Sequence, residues 1–143
     1  LDVEVYTMKT PRFLWLMIAF GLLVSACAPV ARTVPAEPAI GYGGAPADVL
    51  AVVLEAIATA PALENSNGWV VTSSDAIAGS VIAETDVTTA AWFLRPESTR
   101  TERVVVVVTV ATNGSEVVIQ RTSGAESLSR HIEFVLRDEF GLN

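Results

Sequence analysis

A chain of 143 residues that is 51% hydrophobic, with nine lysines and arginines against sixteen carboxylates and one cysteine, sets firm outer limits. The net charge of −7 removes the basic footprint that a nucleic-acid binder needs. One cysteine excludes an internal disulfide, and the length holds one modest core rather than two.

Lys9 and Arg12 precede an apolar stretch, Phe13 to Val24, that ends in small residues, which is the three-part layout of a secretory signal peptide. At helical rise this stretch reaches only about 18 Å, short of the roughly 30 Å hydrocarbon core, so a permanent span is not expected there. Met8 stands directly before Lys9 and is expected to be the start, which makes residues 1–7 an upstream artefact and residues 8–26 the signal.

The string Val24-Ser25-Ala26-Cys27 resembles the lipobox of bacterial lipoproteins. The resemblance implies a diacylglycerol on the Cys27 sulfur, cleavage between Ala26 and Cys27, and acylation of the freed amine. Each buried methylene adds about 0.8 kcal/mol, so two or three chains hold a protein on a membrane essentially permanently. In the same family an aspartate after the cysteine favours inner-membrane retention; here that residue is Ala28. The expected location is the outer membrane of a diderm cell, or the outer face of the cell membrane in a monoderm one. Apart from this covalent lipid on Cys27, no cofactor is expected.

Residues 27–46 contain Pro29, Pro35, Pro38 and Pro46 among alanines, with Gly41, Gly43 and Gly44, and read as a flexible tether. Residues 47–143 form the expected domain. Leu50, Val53, Leu54 and Ile57 fall at helical spacing, and Pro61 ends that helix. Trp69 to Thr72 and Ser80 to Val87 read as strands, and Ala90 to Leu94 as a short third one broken by Arg95-Pro96-Glu97.

Asn113-Gly114 between two runs of β-branched residues predicts a hairpin with those two residues at the turn, pairing Val110 with Val117 and Val108 with Ile119. Val104 to Val108 is apolar and uncharged, so a central strand is expected, with Glu102 and Arg103 as charged gatekeepers at its start. Ser123 through Glu126 fits a capping box opening a last helix, whose buried stripe is Leu128, Ile132, Val135 and Leu136. Glu126–Arg130 and Glu133–Arg137 are favourable pairs along it. The fold expected is α+β: an antiparallel sheet of four or five strands with an N-terminal and a C-terminal helix on one face.

Catalytic constellations are sparse. His131 is the one histidine, and no serine sits in a Gly-x-Ser-x-Gly setting. Glu84 with Asp86, and Glu97 with Glu102, are the carboxylate pairs an acid–base mechanism could use, but Glu84 and Asp86 share one strand face and read as a solvated edge. No metal site is expected from scattered acids and one histidine.

The succession Gly68-Trp69-Val70-Val71, Asp75 to Gly79, Ser80-Val81-Ile82-Ala83 and the long strand is similar to the small helix-and-sheet domains of NlpB/BamC-type envelope lipoproteins, accessory to outer-membrane protein assembly. The tether, the sparse catalytic residues and a half-apolar second sheet face point to a non-catalytic interaction module with an envelope protein partner, held to the membrane through its lipid. The face carrying Val105, Val107, Val118 and Gln120 is mixed rather than polar, and is the expected partner surface. The alternative is a carrier or sensor of a small apolar ligand, with Trp69 and Trp92 lining a pocket between helices and sheet.

Overall fold

The computed structural model describes residues 31–143; the expected signal, its cleavage site and Cys27 lie outside the described residues. Five strands and two long helices follow in order: β1 (Ile40–Tyr42), α1 (Pro46–Thr59), β2 (Val70–Asp75), β3 (Ser80–Thr89), β4 (Ser98–Ala111), β5 (Gly114–Arg121) and α2 (Glu126–Phe140), with a 3-10 turn at Ser123–Ala125 leading into α2. The sheet is antiparallel throughout, with spatial order β1-β5-β4-β3-β2. This is the expected α+β architecture.

Alternation along the strands sets the core. Val81, Ala83, Val104, Val106, Val108, Val117 and Ile119 are buried on one face of the sheet, against Val49, Val53, Ala56 and Ile57 of α1 and Leu128, Ile132 and Leu136 of α2. Period two on the strands and period 3.6 on the helices thus meet in one apolar layer. α1 stops at Thr59, just before the segment leading to Pro61, whose ring disfavours helical backbone in the residue ahead of it. α2 ends on Gly141, whose φ of 69° only glycine adopts without strain and whose N–H donates to the Arg137 carbonyl at 3.0 Å.

Three expectations are corrected. The segment read as a flexible tether is laid along β5 from Thr33 onward. Thr33 bridges Thr122, the Val34 N–H donates to the Arg121 carbonyl at 2.9 Å, the Glu37 N–H to the Ile119 carbonyl at 3.3 Å, and β1 pairs Ile40 to Tyr42 with Val117 to Ser115. Its prolines do not prevent this, because an edge strand needs to donate only toward its single neighbour. Tyr42, at the end of this strap, is 1% exposed.

The β4–β5 turn falls one residue earlier than expected, which moves every cross-strand partner by two. Ala111 pairs with Gly114 and Val108 with Val117, so Thr112 and Asn113 make the turn. Neither has positive φ; that geometry falls on Gly114, at 144°. A Cβ there would stand 2.1 Å from the Tyr42 carbonyl oxygen, so Gly114 is needed where β1 closes over the turn. The shift keeps every side chain on its expected face.

Ala90 to Leu94 is not a strand. It is the connection between β3 and β4, where Trp92 and Arg95 exchange two backbone hydrogen bonds of 3.0 and 2.8 Å. Trp92, Phe93 and Leu94 are 79%, 90% and 79% exposed.

Candidate partner-binding face

With both helices on one side, the opposite face of the sheet has no covering layer among the described elements. Alternation puts Ile82 of β3, Val105 and Val107 of β4, and Val118 and Gln120 of β5 on it. Pairing places Ile82 opposite Val105, Val107 opposite Val118, and Val105 opposite Gln120, so the four aliphatic side chains form one patch across the three central strands. All four are half-buried and Gln120 is exposed. The expected partner residues therefore lie together, and Ile82 joins them.

Polar pairs rim this patch. On β3 and β4 the Arg103 Nε donates to Glu84 at 2.5 Å, and the Thr101 hydroxyl donates to Asp86 at 2.7 Å. Both carboxylates considered for acid–base chemistry thus have cross-strand partners that account for their positions. The outer edge strand β2 is exposed along its length and polar past Val71, with a register shift between Val71 and Ser73, features that discourage strand addition there. The apolar centre of the face is the more suitable contact.

Glu97 and Glu102 do not act together. Glu97 is exposed, whereas Glu102 is 1% exposed and directed toward the helix layer. Its carboxylate accepts the Thr122 hydroxyl and the Gly124 N–H, the latter at 3.0 Å, and the Arg100 Nε lies 2.7 Å away without aiming its N–H for a hydrogen bond. Glu102 is therefore no surface gatekeeper. It takes the place of the expected Ser123 capping box, since neither Thr122 nor Ala125 makes a side-chain cap at the turn leading into α2. A carboxylate at a helix start satisfies orphan N–H groups and complements the helix dipole.

The two tryptophans are not brought together. Trp69 packs against the core beside β2, while Trp92 stands exposed at the far end of the β3–β4 hairpin, so they do not line one pocket between helices and sheet. A cleft of about 360 Å³ does open beside Asn67, Val70, Thr72, Glu84 and Thr101, but its wall is about as polar as it is apolar and neither tryptophan lines it. His131 Nε2 lies 3.5 Å from the Thr59 hydroxyl, bridging the two helices. No group of three metal-ligating side chains occurs among the described residues, and no helix there is long and apolar enough to cross a membrane.

A titratable cluster fixes the strap to α2. Arg121 contacts Glu37 at 3.2 Å, and Glu133 of α2 faces the same carboxylate. Burial, then hydrogen bonding with and repulsion from Glu37, push the Glu133 carboxyl above its ordinary 4.5, against the opposing pull of Arg137 and Arg121. Burial, assisted by Glu133, likewise raises the Tyr42 hydroxyl. Of the two pairs expected along α2, Glu126–Arg130 forms an ion pair, while Glu133 is engaged with Glu37.

A carboxyl whose folded pKa is raised contributes stability that is complete below its ordinary value and is lost as pH rises through the folded value. Glu133→Gln is accordingly expected to raise the urea midpoint at pH 7 and to leave it nearly unchanged at pH 4. An equal gain at both pH values would refute this assignment.

No protein-family model matches the chain, and no curated protein matches it in sequence. The likeness to NlpB/BamC-type domains rests on the residue pattern alone.

Proposed function

We propose that this protein is an exported lipoprotein, anchored through a lipid on Cys27, whose domain acts as a non-catalytic interaction module for another envelope protein. The observation that carries the binding part is the aliphatic patch of Ile82, Val105, Val107 and Val118 on a sheet face without a covering layer. A central apolar patch with a polar rim is the usual make-up of a protein interface. The lipobox-like string ending at Cys27 supports the anchor, and the absence of aspartate at residue 28 supports outer-membrane sorting in a diderm host. The engaged states of Glu84, Asp86 and Glu102 favour a structural role for these acids over catalysis.

A photo-reactive amino acid placed at Val107 or Val118, in the protein expressed in its own host, tests the partner face. Both positions are expected to give the same adduct, and the exposed loop position Ala62 none. Val105→Lys, which sets a charge in the patch, should lower that adduct roughly tenfold, the equivalent of about 1.4 kcal/mol. Adducts of equal yield from Ala62 and the face positions would remove the proposal.

A further inference from the structure

β3 and β4 pair from Ser80–Val107 to Thr89–Ser98, but β4 pairs with β5 only from Val104 onward. The hairpin therefore runs on as an arm, on the order of 20 Å past the end of β5 at about 3.3 Å per residue. On its β2 side, Ser66 bridges Val87. Beyond that the arm ends in Trp92, Phe93 and Leu94, three consecutive large apolar side chains that are at least 79% exposed. Phe93 has a φ of 49°, a left-handed conformation that is unusual for an aromatic residue. Burying such side chains contributes roughly 1.5–3 kcal/mol each, and this tip forgoes it in a turn where glycine or asparagine would be easier. An apolar, strained turn held out in water points to an interaction.

The position of the chain's N-terminal side indicates with what. Thr33 bridges Thr122, the Ser123 N–H donates to the Arg32 carbonyl at 2.8 Å, and the Thr122 N–H donates to the Arg103 carbonyl at 2.9 Å. Arg32 thus lies where the arm begins, and the strap runs from there toward the opposite end of the sheet. From Cys27 to Arg32 the backbone spans no more than about 18 Å when fully stretched. The arm and the link to Cys27 are of similar length and start at the same end of the sheet.

We infer that the Trp92-Phe93-Leu94 tip is a second membrane contact, inserting into the interfacial zone of the phospholipid bilayer to which Cys27 is attached; this rests on the lipid-anchor reading above. Tryptophan suits that zone because its ring is apolar and its N–H polar. Arg95 beside it can pair with a lipid phosphate, and residues 90–96 carry no carboxylate. The paired N–H and C=O groups of Trp92 and Arg95 reduce the backbone polarity that must enter the interface. With a net charge of −7, the apolar residues rather than charge must supply the binding, and zwitterionic lipid suffices.

The test uses the full chain bound to phosphatidylcholine vesicles whose acyl chains are brominated near the headgroup. The Trp92 signal is taken as the difference between wild type and Trp92→Phe. At least twofold quenching and a blue shift are expected, and a Phe93→Ser, Leu94→Ser variant should lose both while melting like wild type, because these side chains are exposed. Vesicle-bound protein with an unquenched Trp92 overturns the inference while leaving the anchor intact. Photo-cross-linking from Leu94 to a protein in native envelopes, with no quenching in vesicles, overturns it in favour of a protein partner. If mass spectrometry finds Cys27 without lipid, the anchor reading fails separately: quenching on addition of vesicles to that chain would still support the tip, and its absence would overturn it.

Discussion

Cys27→Ser is expected to reduce incorporation of labelled palmitate to background and to leave the leader attached, so that the polypeptide is longer by residues 8–26 and lacks the lipid. The expectation follows from the lipobox-like string, because in the lipoproteins that the string resembles the thiol receives the diacylglycerol, and a serine hydroxyl is a far weaker nucleophile at neutral pH. The physical effect is large. One myristoyl chain binds a bilayer with an association constant of about 10⁴ M⁻¹, and each further buried methylene adds about 0.8 kcal/mol, so a second long chain turns marginal attachment into permanent attachment. Equal labelling of the serine variant would sink the anchored reading.

Glu102→Ala is expected to destabilise the domain by about 3 kcal/mol, the scale for removing one partner from a buried charged network. For a domain of this size that corresponds to a fall in Tm of roughly 10–15 °C. The carboxylate joins three parts of the chain: Arg100 on its own strand, the Thr122 hydroxyl at the end of β5, and the Gly124 N–H in the turn before α2. Alanine removes the acceptor of the part-buried Gly124 N–H and leaves the Thr122 hydroxyl only the longer 3.4 Å contact to the Arg103 carbonyl, and an unsatisfied group costs about 1–3 kcal/mol. The Arg100 side chain is 40% exposed, so water screens much of its share. Glu102→Gln, which keeps an acceptor for Thr122 and Gly124, should therefore lose about half as much. The site is also closed sterically, since a Cβ at Gly124 would fall 2.3 Å from the Glu102 Oε1. Urea unfolding of both variants checks this, and a loss below about 1 kcal/mol for alanine would show that the network is dispensable.

What could be read from residue order was what depends on near neighbours. The helices announced themselves through apolar spacing and, for the first, through Pro61, and the valines of β4 through their density. The face holding Val105, Val107, Val118 and Gln120 followed from alternation, and survived a one-residue error in turn position because that error moves each pairing by two residues and so preserves parity. What escaped depended on residues far apart in sequence. The proline- and alanine-rich strap has no strand signature of its own and acquires its path from bonds donated to β5 carbonyls. Glu102 looks like any strand-entry charge until β5 and the following turn bring Thr122 and Gly124 to it. Trp92 and Phe93 have strand-forming side chains, yet they sit at a hairpin tip because the pairing of Thr89 with Ser98 leaves them beyond the ladder.

The strap has a mechanical consequence. Its hydrogen bonds to β5 are arranged in series from Thr33 toward Tyr42, with the link to Cys27 entering at the Thr33 end. Under the proposed anchor, tension applied through that link toward the arm's end runs along the strap and across its perpendicular hydrogen bonds, so it loads them together, in a shearing rather than an unzipping geometry. A strap loaded in this way resists as a unit and keeps the globule close to the proposed attachment until its bonds give way together.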